Sequence, residues 1–226
     1  RNGLYINLTE LEDVRSKYDQ ERKFRSAQNN KIVKEVMGDK PINLASSEQL
    51  SEVIWSRRVN DKNEWAKIFG IGIRAVGTGK YKKRIPKKDL DVIVKAHTTI
   101  SKKTEVKQCT TCSGSGTFFR KRKDGTPYKN QPKCKPCEGT GYVYKELNEV
   151  AGFKFSPTSV DQITANGGAT DKITLGILAS VAEGKGMKEA TLFLHNMQRI
   201  NALDTYINSF CKGIQQNVYS NGILHP

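Results

Sequence analysis

The octapeptide CTTCSGSG at residues 109–116 is repeated as CKPCEGTG at residues 134–141, so the pattern C-x-x-C-x-G-x-G occurs twice. Each C-x-x-C segment can bend so that both thiolates reach one ion, and the glycines permit tight turns that direct backbone N–H groups at sulfur. Two such segments supply the four sulfur ligands of a closed tetrahedral site. The sequence predicts that Cys109, Cys112, Cys134 and Cys137 bind one structural Zn²⁺. Two disulfides or a catalytic zinc are the alternatives.

The segment between the two repeats, TFFRKRKDGTPYK at residues 117–129, predicts a β-hairpin that turns at Asp124 and Gly125. Such a hairpin displays basic side chains next to aromatic ones, a combination that suits nucleic-acid backbones and bases. Alternatively, the aromatic side chains pack beneath the cysteine repeats and the cations are only solvated. The predicted DNA-binding cations are Arg120, Lys121, Arg122, Lys123 and Lys129.

Positive charge is concentrated in the middle of the chain. The 226 residues include 38 Lys and Arg against 23 Asp and Glu, and residues 57–145 hold 23 of the basic and 7 of the acidic side chains. A block this basic is expected to bind polyanions, because each cation placed on a phosphate releases condensed counterions. We therefore predict N-terminal helices over 1–56, a basic insertion over 57–145 with its zinc module at 109–141, and C-terminal helices over 146–226.

Helical signals dominate the two flanks. We predict a helix over 8–37 with a capping box at Thr9 and Glu12, and a shorter helix that begins at Ser46. Thr170 is expected to cap another helix, and an apolar stripe at helical spacing over 193–214 predicts a long last one, packed in the core. One short helix is predicted over 87–96. The fold class is thus mainly α, with an inserted small zinc-binding β-hairpin module.

The cysteine repeats resemble the zinc-binding repeats of DnaJ-type chaperones. The resemblance covers only residues 109–141, and because that family binds two zinc ions with four repeats, the two repeats here imply one ion. The same repeat occurs in unrelated phage proteins, so it indicates a metal site and not a function.

The two flanks resemble the thumb subdomain of phage-like family A (Pol I-like) DNA polymerases. Five segments carry the resemblance in the family's order: RNGLYIN at 1–7, INLASSEQLSEVI at 42–54, GATDKITL at 168–175, LDTYI at 203–207 and NGILHP at 221–226. The family's basic residue before the Thr205–Tyr206 pair is absent here. The resemblance makes the helical part a thumb subdomain and the basic block an insertion within it.

The resemblance implies a DNA-directed DNA polymerase as parent enzyme, with Mg²⁺ held by palm carboxylates that this chain lacks. The chain begins without Met, and we expect it to be a non-catalytic piece that grips primer-template duplex through backbone contacts and supports processivity. The insertion would extend this grip or recruit a processivity or replisome protein. The DNA-binding residues implied by the family are Ser46, Ser47, Thr205, Tyr206 and Asn208.

Two other functions remain open from the sequence. One is a stand-alone zinc-dependent nucleic-acid-binding protein such as a phage transcription antiterminator, and the other is a chaperone-like zinc module that holds unfolded peptide.

No apolar run reaches the roughly 18 residues of a membrane span, and paired cysteines fit a reducing compartment, so we expect a location in the cytoplasm of a bacterial host. The glycine-rich run at 70–80 lacks the lysine of a phosphate-binding loop at the required position.

Overall fold

A computed structural model of the chain describes residues 4–72, 85–218 and 223–224. About half of the chain is helical, and the described strands form antiparallel pairs. The helices are α1 (Leu8–Met37), α2 (Ser47–Trp55), α3 (Lys62–Phe69), α4 (Lys87–His97), α5 (Lys172–Gly184), α6 (Lys188–Thr205) and α7 (Lys212–Asn217). The strands are β1 (Leu4–Tyr5), β2 (Arg57–Val59), β3 (Thr98–Ile100), β4 (Lys102–Gln108), β5 (Tyr142–Val150), β6 (Ile163–Thr164), β7 (Gly167–Gly168) and β8 (Ile223–Leu224). The glycine-rich run beyond residue 72, and parts of the first and last polymerase-like segments, lie outside the described residues.

The first helix has the predicted bounds but a different cap. The Oδ1 atom of Asn7 accepts hydrogen bonds from the N–H groups of Thr9 and Glu10, at 3.1 and 3.3 Å. Thr9 lies inside the first turn, so the predicted capping box of Thr9 and Glu12 is wrong. An asparagine just before the first turn satisfies the same orphan N–H groups that the box would have satisfied.

The cap of α5 also lies one residue from its predicted position. Asp171, and not Thr170, accepts from the N–H groups of Ile173 and Thr174. The carboxylate also accepts from the hydroxyl of Thr174, at 2.7 Å. A carboxylate is the stronger cap here because it is charged and lies at the positive end of the helix dipole.

Contacts divide the chain into two compact units, residues 1–32 with 170–226 and residues 33–169. In the first unit α1 runs antiparallel to α6 and α7. Glu12 accepts from Gln215 at 2.8 Å, Glu21 pairs with Arg199 at 2.8 Å, and further along α1 Asn29 donates to the carbonyl of Phe193 at 3.3 Å. The boundaries at 57 and 145, inferred from charge, stay a prediction.

The long last helix contains a π turn over Tyr206–Cys211, between α6 and α7. A π turn holds more residues than an α turn, so the apolar stripe rotates at this point. Phe193, Leu203 and Ile207 are buried as predicted. Phe210, which belongs to the predicted stripe, is 57% exposed, and its neighbour Cys211 is 4% exposed. The prediction of a core position is therefore wrong for Phe210, and the free thiol of Cys211 beside it is buried.

The second unit is built around a small aromatic and aliphatic core. Trp65 and Phe69 of α3 contact each other with ring centroids 4.6 Å apart, and both are fully buried with Leu90 of α4. The N–H of the Trp65 ring donates to the carbonyl of Thr164 at 2.8 Å. Helix α3 is not among the helices predicted from the sequence, and Asp61 caps it by accepting hydrogen bonds from the N–H groups of Asn63 and Glu64.

An antiparallel ribbon of β4 and β5 leaves this core and encloses both cysteine repeats. Its register pairs Gln108 with Tyr142, next to the first residue of one repeat and the last of the other. At the other end, the N–H of Ala151 donates to the carbonyl of Ser101 at 2.9 Å. The ribbon therefore holds the predicted zinc module at one end of a two-stranded stem.

Candidate metal centre and basic hairpin

Four sulfur atoms lie together at the end of the ribbon. The Sγ atoms of Cys109 and Cys134 are 3.8 Å apart, and those of Cys112 and Cys137 are 3.7 Å apart. All four ligand atoms lie within 4.8 Å of one another. Four sulfurs at the Zn–S bond length of a tetrahedral site are separated by about 3.8 Å. The cluster can therefore hold one metal ion without rearrangement of its close pairs.

The two octapeptides, here called knuckle 1 (109–116) and knuckle 2 (134–141), make the same contacts in mirrored order. Each places a backbone N–H on the sulfur of its own second cysteine, and each first cysteine donates its N–H to the last glycine of the other knuckle. The matched contacts are Gly116 N to Cys112 Sγ and Gly141 N to Cys137 Sγ, both 3.3 Å, and Cys109 N to Gly141 O and Cys134 N to Gly116 O, both 2.8 Å. The prediction that the glycine turns direct N–H groups at sulfur is confirmed.

The last glycine of each knuckle lies against the backbone of the other knuckle. A Cβ atom on Gly116 would lie 2.3 Å from the carbonyl oxygen of Gly139, and one on Gly141 would lie 2.3 Å from that of Gly114. Both also have positive φ, at 72° and 82°. Any side chain at Gly116 or Gly141 would push the knuckles, and with them the two sulfur pairs, apart.

The thiols of the cluster differ in how readily they ionise. A hydrogen bond from the backbone N–H of Cys112 is the main cause of the lowered pKa of the Cys109 thiol, which falls to about 6. Burial opposes ionisation of Cys137, yet the N–H groups of Gly141 and Gly139 lower its pKa. Burial raises the pKa of Cys134 to about 12. Closely spaced thiolates repel each other, so a divalent ion that replaces their protons removes this conflict.

The surroundings of the cluster are those of a closed site. Cys109, Cys134 and Cys137 are buried and Cys112 is partly buried, with the side chains of Phe118 and Val143 packed against them. All five cysteines have free thiols, so the structure contains neither of the alternative disulfides. Among the described residues, no His, Asp or Glu joins the group.

The segment between the knuckles forms a tight turn at the predicted place. Arg122 donates its N–H to the carbonyl of Thr126 at 2.7 Å, and Asp124 Oδ1 accepts from the N–H of Thr126 at 2.9 Å. A bridge pairs Lys121 with Pro127, and the N–H of Tyr128 donates to the carbonyl of Arg120 at 3.2 Å. The predicted turn at Asp124 and Gly125 is therefore confirmed, with short antiparallel pairing on either side.

The three aromatic side chains of this hairpin have different surroundings. Phe118 packs against the cysteine cluster, whereas Phe119 is 69% and Tyr128 47% exposed. Lys121 Nζ lies 5.6 Å from the centre of the Phe119 ring, and Arg122 Cζ lies 5.6 Å from that of Tyr128. The alternative prediction of packed aromatics thus applies to Phe118 alone.

The five predicted hairpin cations are all exposed, and none forms an ion pair with a described acidic side chain. Two cations of the ribbon, by contrast, form ion pairs: Lys103 contacts Glu149 at 2.6 Å and Lys107 contacts Glu105 at 3.2 Å. The hairpin is therefore a compact surface of cations available to an external anion. They are Arg120, Lys121, Arg122, Lys123 and Lys129.

The remaining predicted DNA contacts lie in both units. In the second unit, Ser46 caps α2, and the hydroxyl of Ser47 accepts from Asn166 at 2.8 Å. In the first unit, Thr205 donates to the carbonyl of Asn201 at 3.0 Å, and the ring of Tyr206 lies 5.6 Å from that of Tyr18.

Asn208, in the π turn, accepts from Lys212 at 2.8 Å and borders a polar groove of about 350 Å³. Arg15 and Arg22 of α1 line the same groove. Both arginines, which the sequence did not single out, form ion pairs there: Arg15 with Glu12 at 3.3 Å and Arg22 with Asp19 at 2.8 Å.

Comparison with known proteins gives no match, since no family model, curated protein or solved structure is detectably similar to the chain. Nor does any described helix combine the length and the apolar character that crossing a membrane requires. The fold and the site define a mainly helical chain that carries a cluster of four cysteines able to hold one metal ion.

Proposed function

We propose that this chain is a DNA-binding thumb region of a DNA-directed DNA polymerase that resembles family A, and that zinc at the four-cysteine cluster stabilises it. The observation that carries the proposal is the hairpin, whose exposed cations lack acidic partners among the described side chains while a metal centre fixes their position. Unpaired cations on a fixed scaffold suit phosphate contacts, which position DNA without reading its sequence. The chain grips primer-template duplex and catalyses nothing itself.

The arrangement of the first unit supports the thumb part of the proposal. β1 pairs with β8, Leu4 opposite Leu224 and Tyr5 opposite Ile223, so the two ends of the helical unit lie side by side. A helical unit whose first and last strands pair with each other is compatible with a subdomain that projects from a larger domain. The five polymerase-like segments occur in the family's order along the chain.

Zinc is the metal that best suits the donor set. Four thiolates are soft ligands, and tetrahedral sites with four sulfurs select zinc or iron–sulfur centres over calcium or magnesium. A segment as charged as residues 117–133 has few apolar side chains with which to build a core, so a metal would supply its stability. A processivity or replisome protein, if one is recruited, would bind the basic insertion over residues 57–145.

DNA binding is tested by the salt dependence of affinity. Charge reversal of Arg120, Lys121, Arg122 and Lys123 to Glu should weaken binding of the zinc-loaded chain to primer-template DNA. The slope of log K against log salt should fall by about 1 for each phosphate that the variant no longer neutralises. Fluorescence anisotropy at several salt concentrations measures this slope.

The matched control reverses four exposed lysines outside the basic block, Lys31, Lys172, Lys185 and Lys188, none of which forms an ion pair with a described acid. This variant has the same net charge as the hairpin variant and should keep most of the slope. Equal slopes in the two variants would show that the hairpin does not contact phosphate. Preference for an RNA hairpin over primer-template DNA would favour the antiterminator alternative instead.

A further inference from the structure

The hairpin between the knuckles has two faces, and each carries one exposed aromatic ring with a cation. The isolated bridge between Lys121 and Pro127 and the hydrogen bond from Tyr128 to Arg120 set the register of this short pairing, in which neighbouring side chains alternate between the two faces. Phe119 and Lys121 therefore lie on one face, and Arg122 and Tyr128 on the other. The two ring contacts agree, because each joins an aromatic and a cation of the same face.

Phosphate contacts need only cations, so the exposed aromatic rings indicate that the hairpin also contacts another part of the nucleic acid. Phe119 is 69% exposed at the surface of the hairpin, where water would favour a polar side chain, and Tyr128 is 47% exposed. Aromatic side chains beside cations bind unpaired nucleotides, since the ring stacks on the base while the cation contacts the phosphate. Bases inside a duplex are already stacked on both sides and offer no such surface.

We propose that this hairpin binds a DNA fork, with the unpaired bases of one arm stacked on Phe119 and those of the other arm stacked on Tyr128. Two faces that each carry one exposed ring next to one cation, separated by the thickness of one hairpin, match two single strands that diverge from one duplex end. The inference rests on the DNA binding proposed above and assigns its substrate class. The metal cluster, against which the adjacent Phe118 packs, holds the base of the hairpin in place.

The experiment compares a fork with two unpaired arms and a blunt duplex of the same paired sequence, using the zinc-loaded 226-residue chain. The variants are Phe119→Leu, Tyr128→Leu and the double variant, which keep apolar volume and all cations but remove the rings. Wild type should bind the fork at least about 10-fold more tightly than the duplex, and each single substitution should cost about 10-fold on the fork. Binding to the duplex should change by less than about twofold. Unchanged zinc content and circular dichroism establish that the variants are folded.

A second readout tests the assignment of one arm to each face. 2-Aminopurine is placed at the first unpaired position of either arm, where its fluorescence changes on stacking. Phe119→Leu should abolish the change in one arm only, and Tyr128→Leu in the other arm only. Equal affinity of wild type for fork and duplex, or loss of both signals in the same single variant, would overturn the fork proposal.

The two proposals fail in different ways. If charge reversal of the hairpin flattens the salt slope while the ring variants bind the fork like wild type, DNA binding stands and the fork proposal is wrong. If charge reversal leaves the slope for every DNA unchanged, the proposed hairpin contact is itself wrong.

Discussion

At the scale of single residues, the cysteines and glycines that the two octapeptides share have different structural roles. The cysteines provide the sulfur atoms that could bind a metal ion. The first glycine of each knuckle has a positive φ, 81° at Gly114 and 88° at Gly139. Gly116 and Gly141 permit the knuckles to approach. The N–H contacts to sulfur could be predicted from spacing, because they join residues only four positions apart. The set of four cysteines could be predicted because the motif occurs twice. The close packing of the last glycine of each knuckle on the backbone of the other could not, because neither octapeptide records which atoms of the other it meets.

The role of close approach is tested by Gly141→Ala with Gly125→Ala as its control. Both glycines have nearly the same positive φ, 82° and 85°, but a Cβ at Gly125 meets no atom within 4 Å. The backbone strain is thus common to both variants, and only Gly141→Ala forces a methyl group onto the carbonyl of Gly114. Zinc affinity, measured by competition with a chromophoric chelator, should fall about 10- to 100-fold in Gly141→Ala and stay near wild type in Gly125→Ala. Equal losses would assign the effect to φ alone.

At the scale of elements, most helices could be predicted and the ribbon could not. The predicted helix over 8–37 has the bounds of α1, and the one over 87–96 matches α4. Such helices carry local signals, namely caps and apolar spacing. β4 reads KKTEVKQ and has almost no apolar side chain, because the ribbon is exposed on most of its surface and buries no face. A strand that is held by its pairing with a partner strand, and that buries no face, leaves no periodic pattern in its own sequence.

The pairing of α1 with α6 gives an element-scale prediction on pH. Glu21 accepts from Arg199 at 2.8 Å and from Arg25 at 2.8 Å, and these hydrogen bonds lower its pKa from 4.5 to about 2. A depressed pKa in the folded state adds stability above the unfolded pKa, and this stability is lost as pH falls through the folded pKa. Glu21→Gln should therefore have a lower Tm than wild type at neutral pH.

The difference in Tm between Glu21→Gln and wild type should shrink between about pH 4.5 and pH 2, the interval set by the two pKa values. Thermal melts followed by circular dichroism across this range measure it. Glu35→Gln on the same helix is the control, because Glu35 is exposed and forms no ion pair with a described cation. A Tm difference that persists undiminished at pH 2 would contradict the assigned role of the Glu21 carboxylate.

At the scale of the whole molecule, the excess of positive charge belongs to the region that contains the four-cysteine cluster. The chain as a whole carries 38 basic and 23 acidic side chains, yet the hairpin cations are exposed and form no ion pair with a described acid. Composition predicts the affinity for polyanions, but only the structure locates the hairpin at the end of the ribbon, between the two knuckles. Metal binding and DNA binding are therefore expected to be coupled, because the knuckles form both the cluster and the base of the hairpin.

Removal of the metal tests this coupling. The purified chain should contain one zinc per molecule, and Cys109→Ser should lower that content, whereas Cys211→Ser, which removes a buried thiol outside the cluster, should not. Without zinc the four cysteines no longer share a metal ion, and the hairpin loses its fixed base. The salt slope of DNA binding should therefore flatten in chelated wild type and in Cys109→Ser alike. Because Cys211 lies in the other unit, Cys211→Ser separates this effect from a general loss of stability. A steep slope in the zinc-free chain would show that the cations bind DNA without the metal centre, and the cluster would then serve another purpose.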